Sequence, residues 1–169
     1  YHFLDTGLKA GERVLLVSLK SSPEHILSQA ESLGMFWRDA QRSGMLTIRH
    51  YHTTGLCVEQ LIDEVLQHTW LRAPVRVVFE STSDLWNASR DKDSVRDTLV
   101  LLRSIFESSG ITALVTDQAH QMGGDAGSGE HNYADLAECV IQLSMAEGEG
   151  ELRRFVGVHK HRGSDHAAG

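Results

Sequence analysis

The chain has 169 residues, of which 41% are apolar and 23% charged, and carries a formal net charge of −7. That length suits one domain with a real core, and no apolar run approaches the roughly 20 residues of a membrane span, nor does a basic-then-apolar signal segment occur. The acidic balance gives no support to general nucleic-acid binding, and Cys57 and Cys139 match no metal or redox spacing, so two unpaired buried thiols in a reducing cytoplasm are expected.

Tyr1 to Glu12 reads as the last turn of a helix, capped around Gly7, then a Lys-Ala-Gly-Glu turn into a strand. The expectation is a fragment whose amino-terminal part precedes Tyr1. Arg13 to Leu19 is a continuous apolar run and hence a buried strand. Ser22 and Pro23 then open a helix as N-cap and first helical residue, and Gly34 closes it. Leu46 to His50 is a short strand, followed by a helix from about Gly55 to Leu71 with Leu56, Leu61, Val65 and Leu66 on its inner side. Pro74 stops that helix and delivers a β-branched run, Val75 to Phe79, ending in Glu80 and Ser81. Such a run suits the centre of a parallel sheet covered on both faces.

Residues 87–94 read as a polar loop, with Asp93 or Ser94 capping a long helix that closes at Ser108-Ser109-Gly110. Ile111 to Asp117 is the next buried strand. Residues 119–132 hold Gly123, Gly124, Gly127 and Gly129 and are expected to form a mobile surface loop. Cys139–Met145 and Leu152–His159 then form an antiparallel pair about a turn at Ala146–Gly150. Strand–helix alternation through residue 117 predicts an α/β fold: a sheet of about five mostly parallel strands with helices on both faces, and the antiparallel hairpin at one edge.

Ligands of open parallel sheets collect beyond the carboxyl ends of the strands. Glu80 there can hold a magnesium-bound water beside a nucleotide phosphate; an ordinary Ser/Thr/Asp turn is the plain alternative. Lys160 and Arg162 stand two apart, so on an extended segment they point to one side, where two cations can grip a phosphate. Gly163 allows a turn, and His166 adds a donor or acceptor. A solvated basic strand end accounts for the same residues. Zinc held by His159, His161 and His166 lacks any supporting carboxylate or thiol spacing, and His50 and His52 read as exposed loop residues.

Phe3-Leu4 through Gly11-Glu12-Arg13-Val14-Leu15-Leu16-Val17-Ser18, then Ser22-Pro23-Glu24 and Leu33-Gly34, resembles the KaiC branch of the RecA-like ATPases. Arg76-Val77-Val78-Phe79-Glu80-Ser81 is similar to that family's second nucleotide strand (Walker B), where aspartate-serine is usual. Thr112–Thr116 is similar to the following strand, and Lys160-His161-Arg162-Gly163-Ser164-Asp165-His166 resembles its K-x-R-G-x-x-H segment.

The resemblance implies a RecA-like three-layer domain that assembles into rings, commonly hexamers, with ATP between neighbouring subunits. It implies that Lys160 and Arg162 reach across the interface to the γ-phosphate of a neighbour's ATP, with His166 close to the same nucleotide. Glu80 and Ser81 would serve their own subunit's nucleotide through Mg2+ and its waters, with Glu80 the remaining candidate for catalysis. Departures are plain. No G-x-x-x-x-G-K-S/T loop (Walker A) occurs, and Lys20 and Ser21 stand where the family carries paired glutamates. Slow ATP hydrolysis, a non-hydrolysing regulatory or scaffolding module, and a DNA-binding recombinase-like protein are therefore the readings to separate.

Overall fold

In the computed structural model the described residues are 1–89, 91–118, 135–148 and 151–162. They fall into two compact units, Tyr1–Gly124 and Asp125–Gly169. In the first, β1 (Val14–Ser18) is buried at every position, as a strand covered on both faces must be. It lies within a four-stranded sheet of order β2-β1-β3-β4, with β2 at Leu46–His50, β3 at Arg76–Glu80 and β4 at Thr112–Thr116. Every pairing is parallel, and the register sets Ser18 level with Glu80 and Glu80 level with Thr116. The expected parallel sheet is present, and the Glu80 strand is internal, with a partner on each side. Among the described residues this sheet has four strands where about five were expected.

The helices are α1 (His2–Lys9), α2 (Pro23–Ser32), α3 (Arg38–Arg42), α4 (Val58–Arg72), α5 (Thr82–Ala88) and α6 (Lys92–Ser108). One core gathers Leu4, Val14, Leu16, Ile26, Leu27 and Trp37 between the sheet and the α1/α2 side. Side-chain alternation sends Leu15, Val17, Val77 and Phe79 to the opposite face, and all four are buried. Ser22 caps α2 by accepting from the His25 N–H at 3.4 Å, with Pro23 in the first turn, as its sequence position implied.

Several local expectations are corrected. Gly7 does not cap α1; the helix continues to Lys9 and the left-handed turn falls at Gly11 (φ +76°). What Gly7 provides is room, because a Cβ there would come 2.8 Å from Arg76 Cδ. That accounts for an arginine at the start of the central strand. Its guanidinium pairs with Glu12 at 2.5 Å, donates to the Phe3 carbonyl at 3.3 Å and lies 4.9 Å from the Phe3 ring centroid.

Residues 82–88, where a Ser/Thr/Asp turn and then a polar loop from residue 87 are expected, form α5, because the Ser81 side chain caps it. The cap of α6 is Asp91, whose carboxylate accepts from the N–H groups of Asp93 and Ser94, rather than either of those residues. The α4 helix starts at Val58, which leaves Leu56 half-buried ahead of it. Strand β4, expected to be buried, is exposed at all five positions, Leu114 and Val115 included, whereas the other edge strand, β2, buries Leu46 and Ile48. Cys57 and Cys139 are unpaired as expected, but both are exposed. His50 ends β2 and is half-buried, its ring 4.8 Å from that of exposed His52.

In the second unit β5 (Cys139–Gly148) and β6 (Glu151–His161) pair antiparallel, with a register shift between Val140 and Ile141. The expected hairpin is thus present, longer at both ends, as a two-stranded sheet of its own. The glycine-rich stretch 119–132 lies outside the described residues. No helix among the described residues is long and apolar enough to cross a membrane.

Candidate functional site at the strand ends

The carboxyl ends of β1, β3 and β4 bring Ser18, Glu80 and Thr116 side by side in adjacent parallel strands. Ser18 is fully buried, and its hydroxyl donates to Glu80 Oε2 at 3.1 Å. The same oxygen accepts the N–H groups of Lys20 (3.2 Å) and Ser21 (3.0 Å), which turns the chain directly after the strand. The Leu19 N–H donates to the Glu80 carbonyl at 2.7 Å, so β1 and β3 stay joined to their last residues.

After Glu80 the peptide to Ser81 is cis, and α5 begins. Ser81 is 3% exposed; its hydroxyl donates to Asp84 Oδ2 at 2.6 Å and accepts from the Asp84 N–H at 3.4 Å. The next two hydroxyls tie this turn to β4. Thr82 Oγ1 donates to the Thr116 carbonyl at 3.4 Å, and Ser83 Oγ donates to Asp117 Oδ1, which also accepts the Gln118 N–H at 3.0 Å. Burial first, and then the negative charge of Glu80, push the pKa of the Tyr1 hydroxyl above its ordinary value. The donor set is oxygen throughout, the chemistry that hard cations such as magnesium prefer. No group of three or more His, Cys, Asp or Glu is arranged to ligate a metal directly among the described residues.

In the second unit Lys160 lies in β6 and Arg162 just after it. Lys160 Nζ and Arg162 Nη2 each donate to the Asp135 carbonyl at 3.2 Å. The Arg162 N–H donates to the Glu138 carbonyl at 2.8 Å, carrying the pairing one residue past the strand. The two cations therefore do point to one side, as their spacing implied. His166 lies outside the described residues.

Sequence reasoning named Glu80 and Ser81 but passed over Ser18, Ser83 and Asp117. The signal for Ser18 was a polar residue inside an otherwise apolar buried run. For Asp117 it was a carboxylate directly following a strand next to that of Glu80, and neither signal specifies a contact without the strand order.

A family model described as "ATPase: KaiC" matches residues 1–169. The circadian clock protein KaiC3 of Synechocystis sp. is 29% identical over 97% of this chain and 32% of its own length. The circadian clock oscillator protein KaiC of Thermostichus vulcanus is 26% identical over 99% of this chain and 32% of its own. A UPF0273 protein of Aeropyrum pernix is 25% identical, covering 99% and 72% respectively. Among solved structures, a KaiC-like protein of Pyrococcus horikoshii OT3 superposes with a TM-score of 0.81 at 21% identity, over 98% of this chain and 73% of that one. The chain spans about a third of the length of the curated KaiC relatives it matches. With the family model matched from the first residue to the last, the chain belongs to the KaiC ATPase family.

Proposed function

We propose that these residues form part of a single ATP-binding domain that works at subunit interfaces in a ring, six-membered in the arrangement its resemblance suggests, and hydrolyses ATP slowly. The observation that carries this reading is the position of Glu80, at the carboxyl end of an internal parallel strand and held there by Ser18. A carboxylate so placed suits contact with magnesium through the ion's waters, and the surrounding hydroxyls and carboxylates are compatible with that hard cation. Magnesium, when bound with ATP, would neutralise negative charge on the phosphates.

The chain's own residues divide the remaining work. Glu80 would orient the ion's water shell. Ser81 caps α5 and so fixes the turn on which Glu80 ends, a positional contribution to the nucleotide site. Lys160 and Arg162, gathered on one side, supply positive charge to the γ-phosphate of a neighbour's nucleotide, where negative charge must be stabilised. His166 would act beside them.

A second reading is favoured by Lys20 and Ser21, at the turn where the family resemblance places water-activating glutamates. ATP then acts as an interface ligand in a regulatory or scaffolding module, without turnover. DNA binding gains nothing from a net charge of −7.

The test is calorimetric titration of Mg-ATP into the natural full-length chain and its Glu80→Ala variant. Binding that depends on magnesium, and loses that dependence in Glu80→Ala, is expected. Magnesium-dependent ATP binding indifferent to Glu80 would overturn the assignment. Residues 1–169 alone should bind Mg-ATP weakly or not at all, because no phosphate-cradling loop occurs in them.

A further inference from the structure

A serine hydroxyl has one proton to give and two lone pairs to receive with. At Ser18, which is 0% exposed, all three are used. The lone pairs take the N–H groups of Lys20 and Ser21, at 3.2 and 3.0 Å, and the proton goes to Glu80 Oε2 at 3.1 Å. The reverse assignment, Glu80 donating, would ask the serine oxygen to accept three hydrogen bonds and would leave its own proton buried without an acceptor. The direction of each bond is therefore fixed by counting.

We infer that Ser18 is the positioning residue of the nucleotide site: one buried hydroxyl sets both the orientation of the Glu80 carboxylate and the course of the Lys20–Ser21 turn. The inference rests on the ATP-binding reading above and adds a coupling to it. The acid that faces the ion's water and the segment beside which the attacking water would stand are held by a single oxygen, so they shift together. Alanine at this position removes the donor to Glu80 and the acceptor for two N–H groups at once. Threonine keeps the hydroxyl and adds one methyl.

The experiment compares Ser18→Ala and Ser18→Thr with wild type in the natural full-length chain. It reads single-turnover ATP hydrolysis at saturating ATP, the half-saturating Mg2+ concentration, ATP affinity and the thermal midpoint. Removing a partner that orients a metal-facing group costs about 10- to 100-fold in metal affinity or activity. Ser18→Ala should therefore slow turnover and raise the Mg2+ requirement by about that factor, with ATP affinity at saturating Mg2+ within about twofold of wild type. Ser18→Thr should recover most of both. A Ser18→Ala protein with wild-type turnover and Mg2+ requirement would overturn the inference while leaving ATP binding in place. Equal losses in both variants, tracking their thermal midpoints, would reduce Ser18 to a packing residue and overturn it too. Failure of the wild type itself to bind Mg-ATP would overturn the ATP reading, and the inference with it.

Discussion

Lys160 and Arg162 converge on one atom, each donating to the carbonyl oxygen of Asp135 at 3.2 Å. Both cationic side chains reach this one carbonyl, so their positive charges lie close together at the end of β6. An incoming phosphate offers several anionic oxygens where the carbonyl offers one neutral one, and the planar guanidinium can engage two of them at once.

Arg162→Ala in the natural full-length chain should therefore reduce ATP turnover or ATP-dependent ring formation, and leave the thermal midpoint of the monomer unchanged. Light scattering with and without Mg-ATP, beside a melting curve, reads both quantities. A lowered midpoint with assembly intact would make Arg162 a structural residue of the hairpin.

Lys20 and Ser21 bear on whether the domain turns ATP over. A positioned group that takes a proton from the attacking water contributes roughly 10²- to 10⁴-fold. Introducing Lys20→Glu with Ser21→Glu should raise the single-turnover rate by at least about tenfold at saturating ATP. The N–H contacts to Ser18 come from the backbone and survive the change. Brisk turnover in the unmodified protein, with no gain in the variant, would point to Glu80 as the base.

Trp37 is buried at 1% exposure and its indole N–H donates to Asp5 Oδ1 at 3.0 Å, while Lys9 pairs with the other carboxylate oxygen at 2.6 Å. The hydrogen bond from Lys9, and after it that from Trp37, holds the Asp5 carboxyl below its usual range. Trp37→Phe should destabilise the fold by roughly 2–3 kcal/mol near neutral pH, the scale of a lost hydrogen bond to a charged group. A depressed carboxyl contributes stability above its unfolded pKa and loses it as pH falls through the folded one. The difference between variant and wild type should hence narrow below about pH 4 in denaturant titrations.

His68 gives the opposite end of the pH argument. Its Nε2 accepts from Arg49 Nε at 2.6 Å, which only a neutral ring can do, and its buried Nδ1 has no partner. Burial first, then the charges of Arg49 and Arg72, push its pKa down. The unfolded chain thus takes up the proton first, and stability should fall as pH drops below about 6.5 toward the lower folded value. His50, lowered by burial and by His52, acts in the same direction. His68→Gln should flatten that slope, measured as urea midpoints between pH 7.5 and about 5. An unchanged slope would assign the effect to His50 or to other groups.

The linear order of residues determined the elements whose signals are local. Ser22 before Pro23 is enough to start α2, because a hydroxyl and a fixed φ act on the next few residues alone. The apolar runs ending at Ser18 and Glu80 likewise announce buried parallel strands, and the two-residue spacing of Lys160 and Arg162 puts both on one side. Tertiary structure decided what depends on distant partners. Arg76 at the head of an apolar strand makes sense once Glu12, Phe3 and the missing Cβ of Gly7 surround it. β4 has the composition of a buried strand but is exposed, because burial is set by what packs on a strand's two faces and not by its own residues. Ser18 and Glu80 are 62 residues apart, and a hydroxyl's choice of partner is fixed by the strand register that sets them level.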